Sequence, residues 1–185
     1  MTLDELSTLI RARRTSMFVD RDRGVPEAIV RELCELSQWA PNHKRTWPCR
    51  YALVEGDGRR RLGEAIADAM ERHGDPAEKV TKARTKYLRT PCTLVVGAVV
   101  GDSPLRTAEN RDTAAAGVQN ILLGATAAGL ASYWSSCPKG ADDVVASVCG
   151  FEPDTQVVAL VYLGWPTAEV EVPPRPPASV VVVAD

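Results

Sequence analysis

The sequence has little of several residues on which catalytic machinery usually rests. It holds two histidines and two phenylalanines in 185 residues. Its five cysteines, Cys34, Cys49, Cys92, Cys137 and Cys149, are odd in number, and no two stand as C-x-x-C. That spacing argues against a zinc site or a redox dithiol and for reduced thiols in a cytosol. There is no G-x-x-x-x-G-K-[ST], no H-E-x-x-H and no G-x-S-x-G, so the P-loop, metalloprotease and serine-hydrolase readings fall away. An excess of positive charge is missing too. Lys plus Arg number 22 against 24 Asp plus Glu, a net charge of −2, which argues against non-specific nucleic-acid binding as the main task.

Long apolar runs are also scarce. The N-terminal "MTLDELSTLIRARR" has no apolar core suited to a signal peptide. The nearest thing to a membrane span, "AAAGVQNILLGATAAGLASYW", holds Gln119, Asn120 and Thr126 and is dominated by Ala and Gly. A bilayer helix needs about 20 strongly apolar residues, so this segment reads as a buried helix of a soluble, cytoplasmic protein.

What is present suits an ordinary folded chain, with 45% hydrophobic and 25% charged residues. The length fits one domain, residues 1–185, with about 165–185 as a C-terminal arm and strand. Leu3, Leu6, Leu9 and Ile10 share one face of a helix over 3–13. A second helix starts with Pro26 in its first turn, carries Ile29, Leu33 and Leu36 as its stripe, and ends before Pro41. "CRYALVEG" is a short strand, and charged helices follow over 58–73 and 76–88. "CTLVVGAVVG" and "QVVALVYLG" are buried strands. Between them come a long small-residue helix over 107–129, the strand and turn "LASYWSS", and the helix "ADDVVASVCG" closed by Gly150. After the proline-rich "WPTAEVEVPPRPP" the chain ends in the strand-like "SVVVVAD", which needs a partner strand to avoid an aggregating edge. Strict βαβ alternation is absent, so the fold class is α+β, a sandwich with a central, mostly antiparallel sheet flanked by helices.

Three clusters carry polar chemistry. "RARRTS", residues 11–16, ends the first helix with Arg13, Arg14, Thr15 and Ser16. Two guanidinium forks and two hydroxyls can hold a phosphate monoester, or the arginines can simply complement a helix C-terminus. "WAPNHKRTWP", residues 39–48, packs two tryptophans, a histidine, a lysine and an arginine into ten positions. Loops are usually built from Gly, Ser, Asn and Asp, so this one suits a flat, anionic partner. "YWSSC", residues 133–137, ends a strand in an aromatic residue and two hydroxyls. "GDGRRR" begins like a dinucleotide fingerprint but lacks the third glycine, and reads as a turn entering a charged helix.

In that order and spacing, "RARRTS", "WAPNHK", "YALVEGDGR", "AAAGVQNILLGATAAGLASYWSS" and "VVALVYLGWP" resemble the nitroreductase family of flavin enzymes, within it the short bacterial branch with an A-P-x-H-K loop. The resemblance covers nearly the whole chain. It implies a nitroreductase-like homodimer with FMN between the chains and the C-terminal strand exchanged. It implies that Arg13, Arg14 and Thr15 grip the phosphate and ribityl chain, and that Trp39 and His43 approach the flavin from the loop. It places Trp134, Ser135 and Ser136 beside the isoalloxazine, with Arg175 as a late basic residue near the phosphate. The chain departs from the family in two places. Trp47-Pro48-Cys49 stands where relatives have Gln-Pro-Trp, which makes Trp47 a candidate wall of the substrate slot. Ser135 stands where short-branch relatives often have arginine, which removes a positive charge near the cofactor.

The implied activity is a ping-pong transfer of hydride from NADPH or NADH through FMN to an electron-poor acceptor such as a nitroaromatic, a quinone or an enone. No side-chain nucleophile or metal is required, because the cofactor does the chemistry. A deazaflavin donor is a further option. The alternative is a flavin-binding or sensing protein of the same fold with little turnover, for which the departures at Trp47 and Ser135 speak.

Overall fold

The computed structural model describes residues 1–184, and its centre is a sheet of five strands. The strands are β1 (Val19–Asp20), β2 (Cys49–Glu55), β3 (Cys92–Val99), β4 (Ala131–Ser135) and β5 (Thr155–Pro166). β2 pairs with β3 and β3 with β5, while β4 and β1 pair in succession along the other side of β5, all antiparallel. The helices are α1 (Leu3–Ala12), α2 (Glu27–Ser37), α3 (Gly58–His73), α4 (Ala77–Lys86), α5 (Pro104–Ala127) and α6 (Asp142–Val148).

β3 and β5 are apolar on both faces because both faces are covered. Leu160 and Tyr162 of β5 point into a core with Leu62, Ile66, Val80, Tyr87 and Val145, drawn from α3, α4, α6 and the turn after α4. The alternate residues Val161 and Leu163 join Val30, Leu33, Val118 and Ile121 of α2 and α5. A strand with period-two side chains and two apolar environments loses the usual polar alternation, which is why these segments appear as unbroken apolar runs.

The small residues of α5 allow close approach within the chain. A Cβ on Gly117 would lie 2.3 Å from Ser37 Oγ and 3.0 Å from the Ser37 carbonyl oxygen, and one on Gly124 would meet Leu33 and Leu36. Both neighbours belong to α2. Ser37 Oγ, held there, accepts a hydrogen bond from Tyr51 Oη of β2 at 2.9 Å, so one glycine ties the helix pair to the sheet.

The element order matches the sequence expectation with three corrections. β1 escapes a pattern reading because two residues carry no periodicity; pairing of Val19 with Pro166 defines it. Pro26 stands just before α2 as its cap residue, where its missing N–H is not needed. Within this chain "SVVVVAD" forms no strand over its described residues: 167–184 belong to no helix or strand, and Val180 to Val183 are 78–93% exposed. Asp185 lies outside the described residues. No helix among the described residues is long and apolar enough to cross a membrane.

Candidate functional site

The sequence-derived residues fall into two groups on opposite halves of α5. The first forms where α1 ends. The C-terminal arm returns beside it, so that Arg11, Arg13, Arg14 and Arg175 line one cavity of about 710 Å³ together with Gln119 of α5. No carboxylate lines this cavity, and Arg13, Arg14 and Arg175 make no ion pair among the described residues. Burial first, then the charges of Arg14 and Arg175, holds the Arg13 guanidinium below its ordinary pKa. Cations that face each other without a counter-ion are an arrangement awaiting an anion.

Arg14 has a divided role. Its two Nη groups donate to the carbonyl oxygens of Arg13, at 2.7 Å, and Arg11, closing the C-terminal turn of α1. The helix-terminus reading of this arginine is therefore correct as far as it goes. Its Nε is nevertheless buried without a hydrogen-bond partner among the described residues, a state that costs about 1–3 kcal/mol.

Thr15 is exposed, but its backbone is not free. It forms a parallel bridge with Ser132, and the Ser16 N–H donates to the Ser132 carbonyl at 3.0 Å. Ser132 lies two residues before Trp134 in β4, so the first and third polar clusters adjoin. Trp134 is partly exposed, Ser135 is buried, and Ser135 Oγ contacts the Ser136 carbonyl at 3.3 Å. Thr15 and Ser16 thus adjoin β4 at Ser132, while Arg13, Arg14 and Arg175 line the cavity and Thr15, Trp134, Ser135 and Ser136 do not.

The second group is the tryptophan loop. His43, Lys44 and Arg45 form a short 3-10 turn in which Lys44 and Arg45, and then Trp47, have φ of 60°, 53° and 47°. Three non-glycine residues in the left-handed region are costly, at about 1 kcal/mol or more each. The loop is held there by side chains that pattern reading does not single out. Asn42 Nδ2 donates to Thr46 Oγ1 at 3.0 Å, Thr46 Oγ1 donates to Asn110 Oδ1 at 2.8 Å, and the Trp47 N–H donates to Asn42 Oδ1 at 3.2 Å. Thr113 Oγ1 donates to the Pro41 carbonyl at 3.1 Å. His43 Nδ1 is 2.7 Å from Glu109 Oε1, whose second oxygen is held by Arg106 at 2.6 Å.

This strained scaffold presents apolar surface outward: Trp39 is 84% and Trp47 55% exposed. The two tryptophans are therefore not core anchors of this chain. Neither they nor His43 line the arginine cavity. The structure joins the end of the first cluster to β4 at Ser132, two residues before Trp134, and neither the second nor the third cluster lines the arginine cavity. One residue that sequence reading missed lies under the third cluster: Lys86, at the end of α4, donates from Nζ to Ser135 Oγ at 3.2 Å.

No group of three or more His, Cys, Asp or Glu among the described residues is arranged to hold a metal. The thiols are inert in character. Burial is the main cause that pushes Cys34 up to about 11 and Cys92, Cys137 and Cys149 up to about 12, far from a reactive thiolate.

Known proteins share the sequence pattern and the fold. YfhC of Bacillus subtilis, provisionally named an NAD(P)H nitroreductase, is 29% identical over 178 residues, covering 93% of this chain and 90% of that protein. A nitroreductase-like family protein from Bacillus cereus superposes with a TM-score of 0.81 at 23% identity over 98% of both chains. A nitroreductase with bound FMN from Bacteroides fragilis gives 0.78 at 19% identity, over 97% of this chain and 99% of that one. The profile of the Nitroreductase family matches residues 10–165, and the chain belongs to that family.

Proposed function

We propose that this protein is an FMN-dependent oxidoreductase using NADPH or NADH, acting as a homodimer on an electron-poor acceptor: a nitroaromatic, a quinone or an enone. The observation that carries the reading is the arginine cavity. It is cationic, lined by no carboxylate and large enough for a nucleotide-sized ligand. The related structure with bound FMN and the NAD(P)H name given to YfhC support the cofactor and the donor.

When bound, FMN supplies the hydride acceptance and delivery of a ping-pong cycle. The chain's own residues do the rest. Arg13, Arg14 and Arg175 hold the phosphate, with Thr15 beside the ribityl chain. Trp134, Ser135 and Ser136 border the ring system. Trp39 and His43 approach it from the loop of the second protomer, and Trp47 walls the acceptor slot. A second protomer supplies the loop in this reading, which is supported by the absence of Trp39, His43 and Trp47 from the lining of the arginine cavity. The exposed Trp39, Trp47 and Phe18 and the bare Val180–Val183 tail offer the apolar surface that such an interface buries. The tail adds a strand to the partner's sheet, and the whole chain serves as one FMN-binding domain whose arm is the segment after β5. The setting is the cytoplasm.

The test is an absorbance spectrum of purified protein, then anaerobic NADPH and NADH, with sedimentation at micromolar concentration. Flavin bands that bleach on addition, in a dimer, support the reading. Bound flavin that stays oxidised with both donors points to a flavin sensor. A colourless protein that cannot be reconstituted with FMN, or a monomer, refutes it.

A further inference from the structure

Lys86 is half-buried at the end of α4. Its ammonium lies 5.9 Å from the ring centre of Tyr87 and 5.7 Å from that of Tyr162, and donates to Ser135 Oγ at 3.2 Å. No carboxylate lies within ion-pair distance of it among the described residues. Its surroundings are hydroxyls, aromatic faces and the like charge of Arg89. Burial first, then Arg89, lowers its pKa, opposed by the Cys137 sulfur. Directly beside it the Tyr162 side chain is 1% exposed, and its hydroxyl lies next to Tyr87 and Ser135.

A desolvated ammonium without a counter-ion is unfavourable for the fold, and the aromatic faces offset only part of that cost. Lys86 stays inside, held to the one strand end that, on the proposed function, borders the cofactor. We infer that Lys86 is the positioning cation of this site: through Ser135 it fixes the Trp134–Ser136 turn and places a positive charge where the cofactor becomes more negative on reduction. The inference rests on the FMN reading of the site. It also supplies a charge at the turn whose residue 135 has none of its own.

The experiment compares the wild type with Lys86→Met, Lys86→Arg and the double variant Lys86→Met with Ser135→Arg. The FMN dissociation constant is read by flavin fluorescence, the two-electron midpoint potential by equilibration with a reference dye, and the apoprotein melting temperature in parallel. A charge at a separation of several ångströms through a partly screened path is worth about tenfold in binding. The expected result for Lys86→Met is therefore reduced FMN bound about tenfold less favourably relative to oxidised FMN, a fall of about 30 mV for a two-electron couple. Lys86→Arg, and the arginine placed at 135, should each recover most of it. A dissociation constant within twofold and a potential within about 9 mV of wild type, the same factor for a two-electron couple, with only the melting temperature lowered, would make Lys86 a structural anchor and overturn the inference. Failure of the wild type to bind FMN would instead overturn the proposed function, and the two failures are told apart by the first titration.

Discussion

Arg13 offers the sharpest test of the arginine cavity, because its side chain makes no hydrogen bond among the described residues while the charges of Arg14 and Arg175 oppose its own. Replace it with methionine, which keeps an apolar stem of similar reach. In the folded protein the guanidinium is disfavoured by burial and by Arg14 and Arg175. It is protonated at pH 7 in both folded and unfolded states, so the unfavourable interaction is present throughout the neutral range. Removing the charge should leave the apoprotein as stable as before or raise its melting temperature. Binding should move the other way. A charge-assisted hydrogen bond to a phosphate contributes about 1.5–3 kcal/mol, which is about 10- to 150-fold in the FMN dissociation constant. The stabilisation by a fixed excess of FMN follows the logarithm of that constant, so the FMN-induced melting shift should shrink while the apoprotein shift is zero or positive. Both numbers come from one thermal-melt titration, checked by flavin fluorescence at two salt concentrations. A variant that melts lower without FMN and binds FMN within twofold of wild type would mean that Arg13 is structural and the cavity is not an anion site.

Other outcomes follow from the same geometry. Gly117→Ala places a methyl group 2.3 Å from Ser37 Oγ; a loss of about 1–3 kcal/mol in urea denaturation is expected, and no loss would contradict the close α2–α5 approach. Asn110→Ala removes the acceptor for Thr46 and the donor at 2.9 Å to the Val99 carbonyl, so the strained loop should open and trypsin should cut faster at Lys44 and Arg45, with unchanged kinetics counting against the pinning. Burial, then Glu55, pushes the Cys92 thiol up to about 12, opposed by Arg59. Its folded pKa is raised, so its contribution is complete below the unfolded thiol value and is lost as pH rises from about 9 toward 12. The slope is about 1.4 kcal/mol per pH unit, and Cys92→Ala should flatten that part of the stability profile.

Much of the fold is legible locally. The helix over Gly58–His73 emerges with its bounds intact because Gly74, at φ 85°, closes it and the charged face repeats with helical period. Thr2 and Glu5 form a reciprocal cap on α1, and Ser103 with Pro104 starts α5 three residues before the expected Thr107; that signal was in the chain and shows how a cap outweighs the apolar pattern at a boundary. The candidate site was legible in its residue types, since guanidinium pairs, exposed-loop tryptophans and a hydroxyl turn are unusual enough to be picked out. Its arrangement was not. Lys86 and Ser135 are 49 positions apart, and nothing in the helical pattern of α4 marks Lys86 among its neighbouring cations. The Asn42–Thr46–Asn110 chain joins a loop to a helix more than sixty residues on, through polar residues common in any helix.

The sequence by itself determined where the helices and β2 to β5 lie, that β3 and β5 are buried, and which residues are chemically suited to an anionic, planar ligand. These properties depend on periodicity and on hydrogen bonds that span three or four residues. Tertiary structure alone decided that Arg175 returns to Arg13 and Arg14, that the tryptophan loop is strained and stands apart from them, and that Lys86 lies under Ser135. Those facts depend on contacts between distant segments. Such contacts are set by how two apolar faces pack against one sheet, and no local pattern encodes them.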